Sequence, residues 1–256
     1  MKEDRQFVTA LARGMSVLRC FSSQRKELGT SEIARLTGLP QPTVWRLCYT
    51  LSQLGYLVPG QDPLRLRLGP GVWAIQASGT RTGLAEMARE GMESLARTYQ
   101  VAVSLAEPHG LDMMIIQRAQ AHTLLSLNLT VGSVLPIESS ALGAAYWCTL
   151  SEAARERLQT ELARKRPAQW RAHQDYLGQC LQSFKRQAYV LNLRHFHPEV
   201  NAMGVPVVSA TDGRIMVLNC GGASSAVTPA LLKGPIAQAM KGLAARIGGW
   251  MSDGAQ

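Results

Sequence analysis

Residues 30–51 (TSEIARLTGLPQPTVWRLCYTL) limit the fold of this chain more than any other stretch. They read as two short helices around a glycine turn. In the first, Ile33, Ala34, Leu36 and Thr37 fall on one side at helical spacing, and Thr30 is placed to cap the start. Gly38 follows, where the chain leaves the helix with positive φ at little cost. In the second, Val44, Leu47, Cys48, Leu51 and Leu54 make one apolar stripe. Pro42, Thr43, Trp45, Arg46, Tyr49 and Thr50 point the other way. A small residue at 34, Gly at 38 and a β-branched residue at 44 form the pattern of a helix-turn-helix whose second helix enters the DNA major groove. An ordinary helical hairpin with one wet face fits the same periodicity.

The flanks favour the DNA reading. Residues 8–21 are predicted as an amphipathic helix with Val8, Leu11, Met15 and Leu18 on one face, able to cover the next two. Tyr56–Val58 and Leu64–Leu68 alternate at period two around PGQDP, a β-hairpin signature. Three helices and this wing make a winged helix-turn-helix of about seventy residues. Arg65 and Arg67 share one face of the wing, either to touch phosphate or simply as its wet side. The formal charge of +9 is uneven: residues 1–68 hold ten Lys/Arg against five Asp/Glu, and the rest hold seventeen against thirteen. That asymmetry suits a polyanion at the N-terminal end, or solubility alone.

The remaining residues have the substance for a second folded domain, with 46% of the chain hydrophobic. Gly69-Pro70-Gly71 interrupts the pattern, and a helical connector is expected over about 72–79. Helices are predicted near 83–99, 140–150, 152–165, 172–187 and 228–247. Strands are predicted near 101–107, 111–119, 122–129, 189–194, 202–209 and 214–219. Short turns between strands, with helices grouped between them, indicate an α+β fold with a mostly antiparallel sheet. No signal-peptide pattern or membrane-length apolar run appears, and the five scattered cysteines fit reduced thiols, so a cytoplasmic location is expected. No metal-ligand spacing, phosphate loop or Gly-x-Ser-x-Gly elbow is present, and no cofactor or enzyme activity is expected.

In order and spacing, a series of short segments resembles the IclR family of bacterial transcription regulators across nearly the whole chain. They are Leu11–Leu18, Ser31–Ala34, Thr37–Pro40, Thr43–Leu47, Leu54–Tyr56 and Leu66–Gly69, then Gly132–Ile137, Ser139–Ala145, Asn201–Val207 and Leu218–Gly222. The resemblance implies a winged-helix DNA-binding domain (1–69), a linker helix (70–82) and a GAF-like effector-binding domain (83–256). It further implies dimers or dimers of dimers on near-palindromic operators, responding to a small organic acid, often an aromatic or central-metabolic carboxylate. By the same resemblance the effector pocket involves Leu135, Ala141, Leu142, Val205, Val207, Asn219, Gly221 and His197. Pro42 departs from the family's usual small polar residue; it is tolerable in a first helical turn but removes a possible phosphate-binding N–H.

These parts have distinct chemistry. Phosphate attraction falls to Arg35, Arg65 and Arg67. For base readout, Arg46 is suited to guanine, Gln41 to adenine and Thr43 to a thymine methyl. Trp45 either packs on the sugar-phosphate backbone or shields the helix flank. The full candidate DNA-contacting set is Thr30, Arg35, Gln41, Pro42, Thr43, Trp45, Arg46, Tyr49, Arg65 and Arg67. A carboxylate suits the helix start at Ser140–Ala141, where free amides and the dipole favour an anion; close packing also explains those small residues. His197 or Arg194 adds a second contact to the ligand, or belongs to a surface turn. Two other classes compete: a non-DNA adaptor, and a hydrolase with Cys220 as nucleophile, His195 or His197 as base and Asp212 as orienter.

Overall fold

The computed structural model describes residues 6–22, 25–77, 81–121 and 129–253. Almost all of the strand expected near 122–129, and the end of the connector expected over 72–79, lie outside the described residues. The chain divides into two compact units, Met1–Thr80 and Arg81–Gln256.

In the first unit, α1 (Thr9–Leu18), β1 (Glu27–Gly29), α2 (Thr30–Thr37), α3 (Gln41–Gln53), β2 (Leu57–Pro59), β3 (Arg65–Leu68) and α4 (Pro70–Ala77) follow in order. The core is Val17, Cys20, Phe21, Leu28, Ile33, Val44, Cys48 and Leu57. Gly38 carries a φ of +68° and ends α2, as a left-handed C-cap requires. The N-cap of α2 is Gly29, not Thr30: the Glu32 carboxylate accepts the Gly29 N–H at 2.8 Å. That bond and the Arg65 guanidinium hold the Glu32 carboxyl below the usual carboxylate range.

Three details depart from the sequence expectation. Val8, Leu11 and Met15 are exposed, because α1 turns Val17 into the core instead and the chain beyond the helix adds Cys20 and Phe21. Leu36 and Leu54 are exposed too: Ile33 takes the central position of α2, and Leu54 lies past the last turn of α3. The wing is three-stranded, with β3 between β1 and β2; three residues of Glu-Leu-Gly carry too little alternation to announce a strand.

The second unit runs α5 (Arg81–Tyr99), β4 (Ala102–His109), β5 (Asp112–Gln120), β6 (Val134–Pro136), α6 (Ala141–Thr149), α7 (Glu152–Lys165), α8 (Pro167–Gln187), β7 (Val190–Leu193), β8 (Val200–Val208), β9 (Ile215–Ala223), α9 (Pro229–Leu231) and α10 (Ala237–Asp253). The strands form one six-stranded sheet in the order β6-β5-β4-β9-β8-β7, every pairing antiparallel. Side chains alternate along each strand, so the sheet buries both faces. Val103, Leu105, Met203, Val205, Leu218 and Cys220 pack with Met92 and Leu95 of α5 and with Met240, Leu243 and Ile247 of α10. Ala106, Ile115, Val190 and Val217 pack on the other face with Leu142 of α6, Leu162 of α7 and Leu177 of α8. The single long helix expected over 228–247 is broken by a kink at Gly234, whose φ of −93° and ψ of −113° are not helical, next to Pro235, which has no N–H for the ladder. No helix among the described residues is long and apolar enough to cross a membrane.

Candidate functional site

Helix α3 buries Val44 and Cys48 and turns its other side outward. Gln41, Pro42, Trp45, Arg46, Tyr49 and Thr50 are exposed there, with Thr43 half-buried at the edge. Trp45 and Tyr49, one helical turn apart, stack with ring centroids 5.8 Å apart and planes 13° from parallel, yet remain 59% and 56% exposed. Two large rings held flat against each other in open solvent form a prearranged surface. Beside them, no hydrogen bond or ion pair among the described residues engages the Arg46 guanidinium. The Gln41 amide donates to Ser31 Oγ at 2.9 Å, which ties the start of α3 to α2. Pro42 occupies the first turn, where its missing N–H leaves no gap in the ladder.

The wing divides its two arginines. Arg65 forms an ion pair with Glu32 at 2.7 Å and donates to the Glu27 carbonyl at 2.9 Å, so most of its charge is spent inside the unit. Arg67 is exposed, as is Arg35 near the end of α2; Thr30 is half-buried at that helix's start.

The second unit holds a cavity of about 520 Å³ between the sheet and the start of α6. Strand register explains its floor. Gln120, Ala102, Gly221, Ala202 and Asn192 stand in one row across β5, β4, β9, β8 and β7. Arg118, Ser104, Asn219 and Gly204 make the next row. Gly204 has no room for a Cβ against the Ala141 carbonyl, nor Gly143 against the Ile137 backbone. These small residues therefore seat α6 directly on the sheet and on the segment before it. The Ser140 hydroxyl accepts the Gly143 N–H at 3.0 Å and donates to the Pro136 carbonyl at 2.6 Å. Arg166, between α7 and α8, reaches Asp112 of β5 at 2.7 Å and the buried Glu138 at 3.5 Å, pinning the approach to α6. Asn192 spans the floor's edge, donating to the Ser139 carbonyl at 2.7 Å and to Tyr176 Oη at 2.9 Å.

Of the residues expected at an effector pocket, Leu135, Ser140, Ala141, Leu142, His197, Asn219 and Gly221 line the cavity. Val205 and Val207 do not. They are odd-numbered residues on β8, where the even-numbered ones face α6, and they lie in the core against α5 and α10. His197 sits at the mouth, its Nδ1 accepting the Glu199 N–H at 3.2 Å, which leaves Nε2 as the N–H donor. Arg194 is exposed and does not line the cavity. The sequence reading missed Arg118, Gln120, Asn192 and Phe196, which also line it. Arg118 and Gln120 stand two apart on one side of β5, but Gln117 beside them is polar too, so spacing alone did not mark the pair.

Cys220 is not placed to act as the nucleophile of a hydrolase. Cys220 is fully buried on the face of the sheet opposite the cavity, and burial pushes its thiol up to about 12, so it stays protonated. Asp212 instead accepts the Arg214 N–H in the β8–β9 turn. Among the described residues no group of three or more His, Cys, Asp or Glu could hold a metal ion.

Comparisons with known proteins agree with this architecture. Residues 10–60 match the IclR helix-turn-helix domain, and residues 76–245 match the bacterial transcriptional regulator IclR C-terminal domain. The chain is 28% identical to the HTH-type transcriptional regulator TsaQ1/TsaQ2 of Comamonas testosteroni, over 91% of this chain and 85% of that protein. It is 32% identical to an IclR family transcriptional regulator from Brucella abortus of known structure, with a TM-score of 0.75, covering 97% and 94% of the two chains. An IclR homologue from Microbacterium hydrocarbonoxydans, solved with 4-hydroxybenzoate, shares the fold at 21% identity with a TM-score of 0.79, covering 96% of this chain and all of that one. With matches to both halves, and a model of its C-terminal domain covering residues 76–245, the chain belongs to the IclR family of bacterial transcriptional regulators.

Proposed function

We propose that this chain acts in the cytoplasm as a dimer or dimer of dimers on near-palindromic operators, and that a small organic carboxylate, aromatic ones included, alters its grip on DNA from the cavity. In this reading residues 1–69 bind DNA, 70–82 link the two parts and 83–256 receive the effector. It acts as a regulator, not as an enzyme. The observation that carries the reading is the outward face of α3, where Trp45 and Tyr49 stack in solvent and the exposed Arg46 guanidinium engages no partner among the described residues.

With α3 in the major groove, Arg46 donates two hydrogen bonds to a guanine, Gln41 reads an adenine and Thr43 meets a thymine methyl. Arg35 and Arg67 neutralise phosphates, while Thr30, Pro42, Trp45 and Tyr49 lie along the backbone. Arg65 serves the wing through Glu32 more than it serves DNA. Two copies present their reading helices about 34 Å apart, one turn of duplex. A ligand shifts this spacing only by binding one arrangement more tightly, typically by about 1–3 kcal/mol. The cavity supports the effector half of the reading, as does the 4-hydroxybenzoate held by the Microbacterium homologue.

A gel shift on the DNA upstream of the chain's own gene tests both halves. The expected result is a discrete complex at low salt whose midpoint moves when carboxylates are added. Ala202→Phe, which fills the cavity floor, should abolish that response and keep the complex. Failure to retain DNA at low salt contradicts the proposal and favours an adaptor.

A further inference from the structure

We infer that Arg118 anchors the effector's carboxylate and that the effector is a monocarboxylate on a compact apolar body, an inference that rests on the effector-pocket reading above. Arg118 lies in the cavity wall on β5. Its Nη1 donates to Ser104 Oγ at 2.9 Å and its Nη2 to Gln120 Oε1 at 3.1 Å. Those bonds fix the plane of the guanidinium and leave one hydrogen unspent on each terminal nitrogen. Its buried Nε has no hydrogen-bond partner, and no carboxylate among the described residues pairs with it. Burial draws its pKa below the ordinary guanidinium value, as expected for a cation short of counter-charge. A partly buried, oriented and uncompensated guanidinium is costly unless an anion completes it.

The start of α6 is the other place that favours an anion. It packs over Gly204 on β8, three strands from the strand that carries Arg118. Arg118 carries a full charge with free donors, whereas the Ser140 hydroxyl is already engaged on both sides. Leu129, Leu135, Leu142 and Val227 supply apolar wall. Glu199 at the mouth repels a second acid group.

Calorimetry on the full chain with benzoate, 4-hydroxybenzoate, phenylacetate and hexanoate, each beside its amide, tests this. At least one acid should bind the wild type about 30-fold tighter than its amide. Arg118→Gln should weaken that acid about 100-fold and erase the preference, and Arg118→Lys should keep part of it. In the ligand-free protein, Arg118→Met should not lower the melting midpoint, because it removes an undercompensated charge. The inference is overturned if Ala202→Phe abolishes acid binding while Arg118→Gln binds within about threefold of wild type. A midpoint lowered by more than about 5 °C in both Arg118→Met and Arg118→Gln assigns Arg118 to the scaffold and also overturns it. If no acid binds the wild type, or binding survives Ala202→Phe, the effector-pocket reading fails first and takes this inference with it.

Discussion

Helix α3 and the cavity are built on opposite principles. The face of α3 is one segment's work: residues 41–50 place the stacked rings and Arg46 outward by the 3.6-residue turn alone, while Val44 and Cys48 hold the helix down. The cavity is collective. Its floor draws on β4, β5, β7, β8 and β9 together, the start of α6 lies over it, and its walls include loops. A local site tolerates changes elsewhere in the fold and fails by single side chains. A collective site depends on register and on close approach, so it fails through the scaffold.

The largest effect should come from separating α6 from the sheet. Gly204→Val puts carbons where the Ala141 carbonyl lies, and overpacking of this kind costs about 1–3 kcal/mol or more. Denaturant melts should show the second unit losing that much stability, with ligand binding lost as well. Unchanged stability would mean α6 is not seated as described.

Arg46→Ala comes next. It should weaken operator binding by about 1–3 kcal/mol while affinity for random DNA changes little, measured by fluorescence anisotropy at fixed salt. Equal losses on both sequences would reduce α3 to a phosphate-binding face. Smaller again is the contrast between the wing arginines. Arg67→Ala should lower the slope of log affinity against log salt by about one, and Arg65→Ala should leave it nearly unchanged, because Arg65 is already paired with Glu32.

The smallest effect concerns pH. The Glu32 carboxyl has its pKa depressed, first by the Gly29 N–H and then by Arg65. Its contribution to the first unit's stability is therefore present above the ordinary carboxylate pKa and lost as pH falls through the lower folded value. Acid titration of the melting midpoint should show a slight extra loss in that range, absent in Glu32→Gln. Because the pair is exposed, the difference should be marginal and should shrink with salt.

The same contrast explains what could be read before folding. The two helices around Gly38 and their outward residues were legible because a helix writes its faces into spacing along one segment. Alternation did likewise for β3. What α1 buries was not legible, because Val8, Leu11 and Met15 make as good a stripe as the one that includes Val17, and only the partners decide. In the cavity, the positions near 135, 140–142, 219 and 221 came as a neighbourhood from the family resemblance, but the face of β8 depended on parity. Gly204 opposite Asn219 sets that parity and turns Val205 and Val207 to the other side. Arg118 was overlooked for a related reason: a bulge between Leu105 and Ala106 shifts the β4–β5 register, so its side of the strand follows from pairing and not from its neighbours.

The most direct test is methylation protection of guanine N7 on the DNA upstream of the chain's own gene, since that atom opens only into the major groove. The account predicts two protected sets of guanines about 10 base pairs apart on one face of the duplex, each losing protection in Arg46→Ala. Bound protein that leaves every guanine N7 reactive, or that protects the same guanines without Arg46, would contradict it.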